Sequence, residues 1–114
     1  MRRLTFVLAS VVASVVGAAT LGAQARHEVR EVQGIRITED ERGLWARATF
    51  SADSAVKLAL ARVPGGRITE AELEEEDGRL VYSFDLKVQG KKGKAKVHVD
   101  ARTGKVVKVE HEDG

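Results

Sequence analysis

From Leu80 to Val88 the chain alternates. Leu80, Tyr82, Phe84, Leu86 and Val88 fall on every second position, with Val81, Ser83, Asp85 and Lys87 between them. That is the period of a strand with one dry face and one wet face. The same period recurs on both sides. Around 67–75, Ala71 and Leu73 point inward while Glu70, Glu72 and Glu74 point outward; Ile68 is out of phase, which predicts a bulge or a late strand start. Around 94–100, Ala95, Val97 and Val99 are inward and Lys94, Lys96 and His98 outward. A last strand, 105–110, carries Val107 and Val109 on one face, and the tail 111–114 is expected to fray. Asp77-Gly78 reads as a two-residue hairpin turn, 89–93 as a longer loop, and Asp100 to Gly104 as a tight turn.

Ahead of these strands the period changes to that of a helix. Ala52, Ala55, Val56, Ala59, Leu60 and Val63 recur at three and four, and Asp53, Lys57 and Arg62 point away. Ser51 can cap the backbone N–H groups of Asp53 and Ser54, and Asp53 suits the positive end of the helix dipole. Phe50 is placed to pack on Ala55 as a staple. Pro64 forbids continuation and Gly65-Gly66 turns the chain back. A sheet dry on one face needs a cover, and this helix supplies it. The expected fold is α+β: one helix across a four-stranded antiparallel meander, strands paired in chain order.

Residues 26–50 give weaker signals. Arg26 to Gln33 is charged and apolar-poor, and reads as a flexible arm or a short edge strand carrying Val29. Thr38-Glu39-Asp40-Glu41 has the spacing of a capping box, which would start a short helix with Leu44, Trp45 and Ala48 on one side. Trp45 is the single Trp. It reads as a lid on one end of the core or, alternatively, as a partner contact.

The first 25 residues belong to a different class. Met1-Arg2-Arg3 is a positive start, Leu4 to Val16 is nearly all apolar, and Ala23-Gln24-Ala25 is a small-x-small site. Together they read as a secretory leader cleaved after Ala25, with retention as a membrane anchor as the alternative. The chain has 19 Lys+Arg and 17 Asp+Glu, but Arg2 and Arg3 lie in the leader, so the remainder is formally balanced. The basic balance is therefore no argument for nucleic acid. With no Cys, an exported domain this small must rely on its core.

Chemistry is sparse. Of the three His, His27 lies in the arm, His98 on a wet face and His111 in the tail. If the last two strands pair, His98 and His111 could approach with Glu110 and Glu112 nearby, a weak metal site at most. Ser51 and Ser54 look like helix-start residues, and Ser83 is mid-strand with no acid and His identifiable as partners. The run of acids from Glu70 to Asp77 reads as a solvated strand. Lys91, Lys92, Lys94 and Lys96 lack interleaved aromatic residues, which makes a poor nucleic-acid surface, and they are only a weak match to anionic lipid. No cofactor is implied. What stands out is a wet face that is acidic on one strand (Glu70, Glu72, Glu74) and basic on another (Lys94, Lys96, with His98), with Asp85 and Lys87 between. It reads as solubility and edge protection, or as a face that docks a protein partner.

The residues as a set resemble the PepSY domain family. Ala55, Ala59-Leu60 and Val63-Pro64-Gly65-Gly66 are followed by Glu72-Leu73-Glu74, Asp77-Gly78, Val81-Tyr82, Val99-Asp100-Ala101 and Thr103-Gly104-Lys105-Val106-Val107. The likeness runs from about Ser51 to Glu110. It implies a small extracytoplasmic module, found in propeptides of some secreted metallopeptidases and alone in small exported proteins, with no catalytic residues to carry over. The resulting expectation is a secreted or periplasmic, non-catalytic binding module that contacts a protein, a peptidase among the candidates. The alternative is a structural or sensory envelope protein that binds a metal ion or small ligand.

Overall fold

The computed structural model describes residues 27–113. The expected leader lies outside the described residues, among which no helix is long and apolar enough to cross a membrane. In chain order the elements are β1 (Val29–Val32), β2 (Ile35–Glu39), a 3-10 turn (Trp45–Arg47), α1 (Ala52–Arg62), β3 (Gly66–Glu76), β4 (Arg79–Val88), β5 (Lys94–Asp100) and β6 (Val106–Glu112). The class is α+β with one helix, as expected. The sheet, however, has six strands in the order β1-β2-β3-β4-β5-β6, and it is mixed rather than a four-stranded meander.

The expected four strands form its larger part. Tyr82, Phe84 and Leu86 are buried with Leu73, Val97 and Val99 on the helix-covered face. The predicted irregularity near Ile68 is a register shift between Ile68 and Glu70 in the β3–β4 ladder. The last strand runs two residues further than the alternation suggested, through His111 and Glu112, which pair with Ala95 and Lys94.

Two added strands stand where the flexible arm was expected, and the first is the alternative reading, a short edge strand carrying Val29. Gln33 and Gly34 both take positive φ, 53° and 79°, the geometry of a two-residue hairpin whose twist matches its strands. Ile37 is fully buried, and Val32 and Ile35 pack at the core margin. β2 then lies parallel to β3, with Ile37 opposite Ala71 and Glu39 opposite Leu73. The chain leaves β2, crosses through the 3-10 turn and α1, and re-enters the sheet in the same direction, as a parallel pair requires. The capping box does not form, because Thr38 and Glu39 are strand residues. Glu39 serves instead. Its carboxylate is buried and accepts the backbone N–H of Glu28 at 2.8 Å and of Trp45 at 3.2 Å. Burial alone would raise its pKa; these and neighbouring backbone donors outweigh that and hold it below the ordinary carboxylate value. Trp45 is buried, with its indole N–H on the Glu28 carbonyl at 3.0 Å and the Arg30 guanidinium 4.4 Å over its ring.

Helix α1 starts as the sequence predicts, with the Ser54 N–H donating to Ser51 Oγ at 3.0 Å. Ala55, Val56 and Ala59 are fully buried; these short side chains let the helix approach the sheet closely. Its entry is tied to the β5–β6 turn. The N–H groups of Thr49 and Phe50 both donate to the Ala101 carbonyl, at 2.9 and 2.8 Å. Asp100 Oδ1 accepts the N–H groups of Arg102 and Thr103, which shapes the turn. Gly104 closes it at φ 80°, against the Phe50 ring. A Cβ at position 104 would overlap that ring as well as strain the backbone. Gly104→Ala is therefore expected to destabilise the domain by about 2–4 kcal/mol in urea unfolding, more than Gly78→Ala, whose Cβ would meet open space at a similar φ.

Candidate functional site

Helix α1 covers one face of the sheet, and the other is covered by no element among the described residues. Alternation places every residue of the sequence-predicted partner face there. The ladders assemble them into rows. Glu70, Asp85, Lys96 and Glu110 form one row across β3 to β6, and Glu72, Ser83, His98 and Lys108 form the next. Lys87 lies opposite Arg67 at one end. Lys94 is tied to Asp85, Nζ to Oδ2 at 3.2 Å. Glu70, Glu72, Glu74, Glu76, Ser83, Asp85, Lys96 and His98 line a shallow trough of about 260 Å³, so most of the expected set shares one concavity. Lys87 and Lys94 lie beyond it.

The acids of the trough repel one another. Burial first, then neighbouring carboxylates, push the pKa of Glu72 and Glu74 up, with Lys96 a partial offset. Glu76 behaves in the opposite way. Its hydrogen bond from Lys108 Nζ, at 3.1 Å, holds it below the ordinary value despite partial burial.

His98 departs from expectation. It sits on the open face, but it is only 2% exposed. Its Nδ1 lies 3.1 Å from Glu76 Oε1 and its Nε2 3.2 Å from Ser83 Oγ. Burial lowers its pKa, with Glu76 opposing, so the ring is neutral at pH 7. With Glu76 an anion, the ring proton belongs on Nδ1, and Nε2 accepts from the Ser83 hydroxyl. Sequence reasoning missed this relay because Glu76 pairs in the ladder with Arg79 and reaches His98 diagonally. The register of β3 on β4, rather than any local motif, creates it. Val81, buried on this face at 1% exposure, shares a cleft with Glu76, Arg79, His98 and Lys108, which explains how an apolar residue is shielded there.

Serine, histidine and carboxylate in this connectivity are the elements of an acyl-transfer relay. Such chemistry also needs donors aimed at a developing oxyanion. Ser83 lies in a strand laddered on both sides, and its neighbour across the ladder is Glu72. Negative charge developing there would meet carboxylates. The relay's evident effect is to fix His98 and bind β3, β4 and β5 through side chains. The metal-site alternative fails on geometry: His111 pairs with Ala95, whose side chain faces the core, whereas His98 pairs with Lys108 on the open face. Among the described residues no three His, Cys, Asp or Glu side chains could hold an ion together.

The buried ring gives stability a sign with pH. Because the folded state lowers the His98 pKa from 6.5, its neutral form contributes fully above pH 6.5, and the contribution is lost as pH falls below it. Glu72 and Glu74, with raised values, bind protons more readily when folded and act in the opposite sense at lower pH, above 4.5. Thermal melts from about pH 7 to about pH 5.5 are expected to show a steeper loss of Tm in the wild type than in His98→Gln. Equal slopes would remove His98 as the cause.

The chain is similar to an uncharacterized protein, YkoJ, of Bacillus subtilis (strain 168), at 29% identity over 68 residues; the match covers 59% of this chain and 38% of that relative. No solved structure matches the chain. The family model for PepSY, described as the peptidase propeptide and YPEB domain, matches residues 50–110, which begins at the helix entry and ends within β6. The chain therefore belongs to the PepSY family.

Proposed function

We propose that this protein is an exported, non-catalytic binding module that docks on a protein partner through the open face of its sheet, the favoured partner being a secreted or periplasmic peptidase. The observation that carries the reading is a pair of like-charge cross-strand contacts on a face that no described element covers. Glu70 lies directly opposite Asp85, and Arg67 directly opposite Lys87. Like charges placed opposite each other are destabilising within a sheet. A surface serving solubility alone would gain from interleaving them. A surface that orients a partner gains from keeping them apart, because complementary potentials steer encounter and select register.

Family membership supports the peptidase version, since the family takes its description from peptidase propeptides. Glu70, Glu72, Glu74, Asp85, Lys87, Lys94 and Lys96 are the contact residues in this reading. His98 acts beneath them as a support, because it is buried. Export rests on the leader read from residues 1–25.

The test is to measure binding and inhibition of co-secreted metallopeptidases by the protein. Glu70→Lys with Glu72→Lys is expected to weaken binding by about tenfold or more at low salt, mainly through a slower association rate. Absence of binding and inhibition across that set would remove the peptidase version, and binding indifferent to this pair of substitutions would remove the open face as the contact.

A further inference from the structure

One end of the sheet concentrates cations that form no ion pair among the described residues. Arg67 is the second residue of β3 and Lys87 the second-last of β4, and the two are direct partners in the ladder. Both are exposed, and neither has an ion-pair partner among the described residues. The acids next along the same face do not relieve them. Asp85 is engaged by Lys94, and Glu70 stands beyond the register shift. The β4–β5 loop then brings in a third cation. It turns back with the Lys91 N–H on the Val88 carbonyl at 3.1 Å and Gly90 at φ 81°.

Arg67, Lys87 and Lys91 line one cleft with Gly65, Val88, Gln89 and Gly90, about 350 Å³ in volume. That is within the range of small-ligand sites. No acid lines it. Gly65 lines it at φ 78°, beside the Val88 side chain. The adjoining cleft, which shares Lys91, is mixed in charge, with Lys92 and Lys94 set against Glu112 and Asp113, so the acid-free lining is confined to the first cleft.

We propose that this cleft is an oxyanion site that takes a phosphate-type group. Three cations without a carboxylate favour a multiply charged, compact anion over a single carboxylate. Val88 is the one sizeable apolar side chain and no ring lines the walls, so there is no stacking platform for a nucleobase. A bare phosphate monoester and the head group of an anionic lipid share the required chemistry. Occupancy would also remove the repulsion between Arg67 and Lys87, so binding and folding are linked.

The experiment uses the full chain and the triple variant Arg67→Gln, Lys87→Gln, Lys91→Gln. Inorganic phosphate is titrated while backbone amide NMR shifts and Tm are followed. Vesicles with about one-third phosphatidylglycerol, and others of phosphatidylcholine alone, are tested by co-sedimentation at low and high salt. The variant is expected to fold with a Tm no lower than that of the wild type, because it loses a like-charge pair. For free phosphate as the source, the wild type shows saturable millimolar binding, centred on Gly65, Arg67 and Lys87 to Lys91 and weakened about tenfold or more in the variant. For a head group, inorganic phosphate has little effect, while salt-sensitive excess binding to the anionic vesicles disappears in the variant. Equal behaviour of wild type and variant in both arms overturns the proposal. Since peptidase docking is read out separately with Glu70 and Glu72, failure here leaves that reading standing.

Discussion

The fold depends on two hydrogen bonds to one carbonyl. Ala101 is fully buried, and its C=O receives the N–H groups of Thr49 and Phe50, the last two residues before the helix cap. These groups precede the helix and would otherwise be unpaired where the crossover meets the sheet. The bond to Ala101 joins the start of α1 to the far end of β5. Around it, Asp100 shapes the turn, Gly104 makes room for Phe50, and the Tyr82 hydroxyl donates to the Phe50 carbonyl at 2.6 Å. The Val-Asp-Ala-x-Thr-Gly run is thus one device. It holds the helix over the dry face.

Residues of β3 to β6 and α1 were legible because their signals are local. Alternation, a serine cap, a proline stop and the Asp77-Gly78 turn each act within a few residues. Even the Ile68 irregularity showed as a phase error. The hairpin of β1 and β2 was not legible in the same way. Its strands are short and charged, and its turn is Gln33-Gly34 rather than the more familiar Asn-Gly or Asp-Gly. The alternation of Ile35 and Ile37 was the available signal, and the capping-box match at Thr38 competed with it. The parallel pairing to β3 is set by where the crossover returns, which no local pattern encodes.

The candidate face was legible as a set of charges but not as a mechanism. Period two puts Glu70, Glu72, Glu74, Lys94 and Lys96 on the wet side whatever the register. Burial of His98 depends on Glu76 and Lys108 arriving from two other strands, and the like-charge partners depend on a register shift beside Thr69. Side-chain chemistry on a sheet is organised across strands, at right angles to the direction in which a sequence is read.

The position of Trp45 has a practical consequence. It is the single tryptophan, and it rests between the Arg30 guanidinium and Tyr82, held by a carbonyl that lies just before β1. Its emission therefore senses whether the N-terminal ribbon is seated. Peeling that ribbon away would wet the indole while β3 to β6 could stay laddered, so the molecule carries its own optical probe for separating partial from complete unfolding.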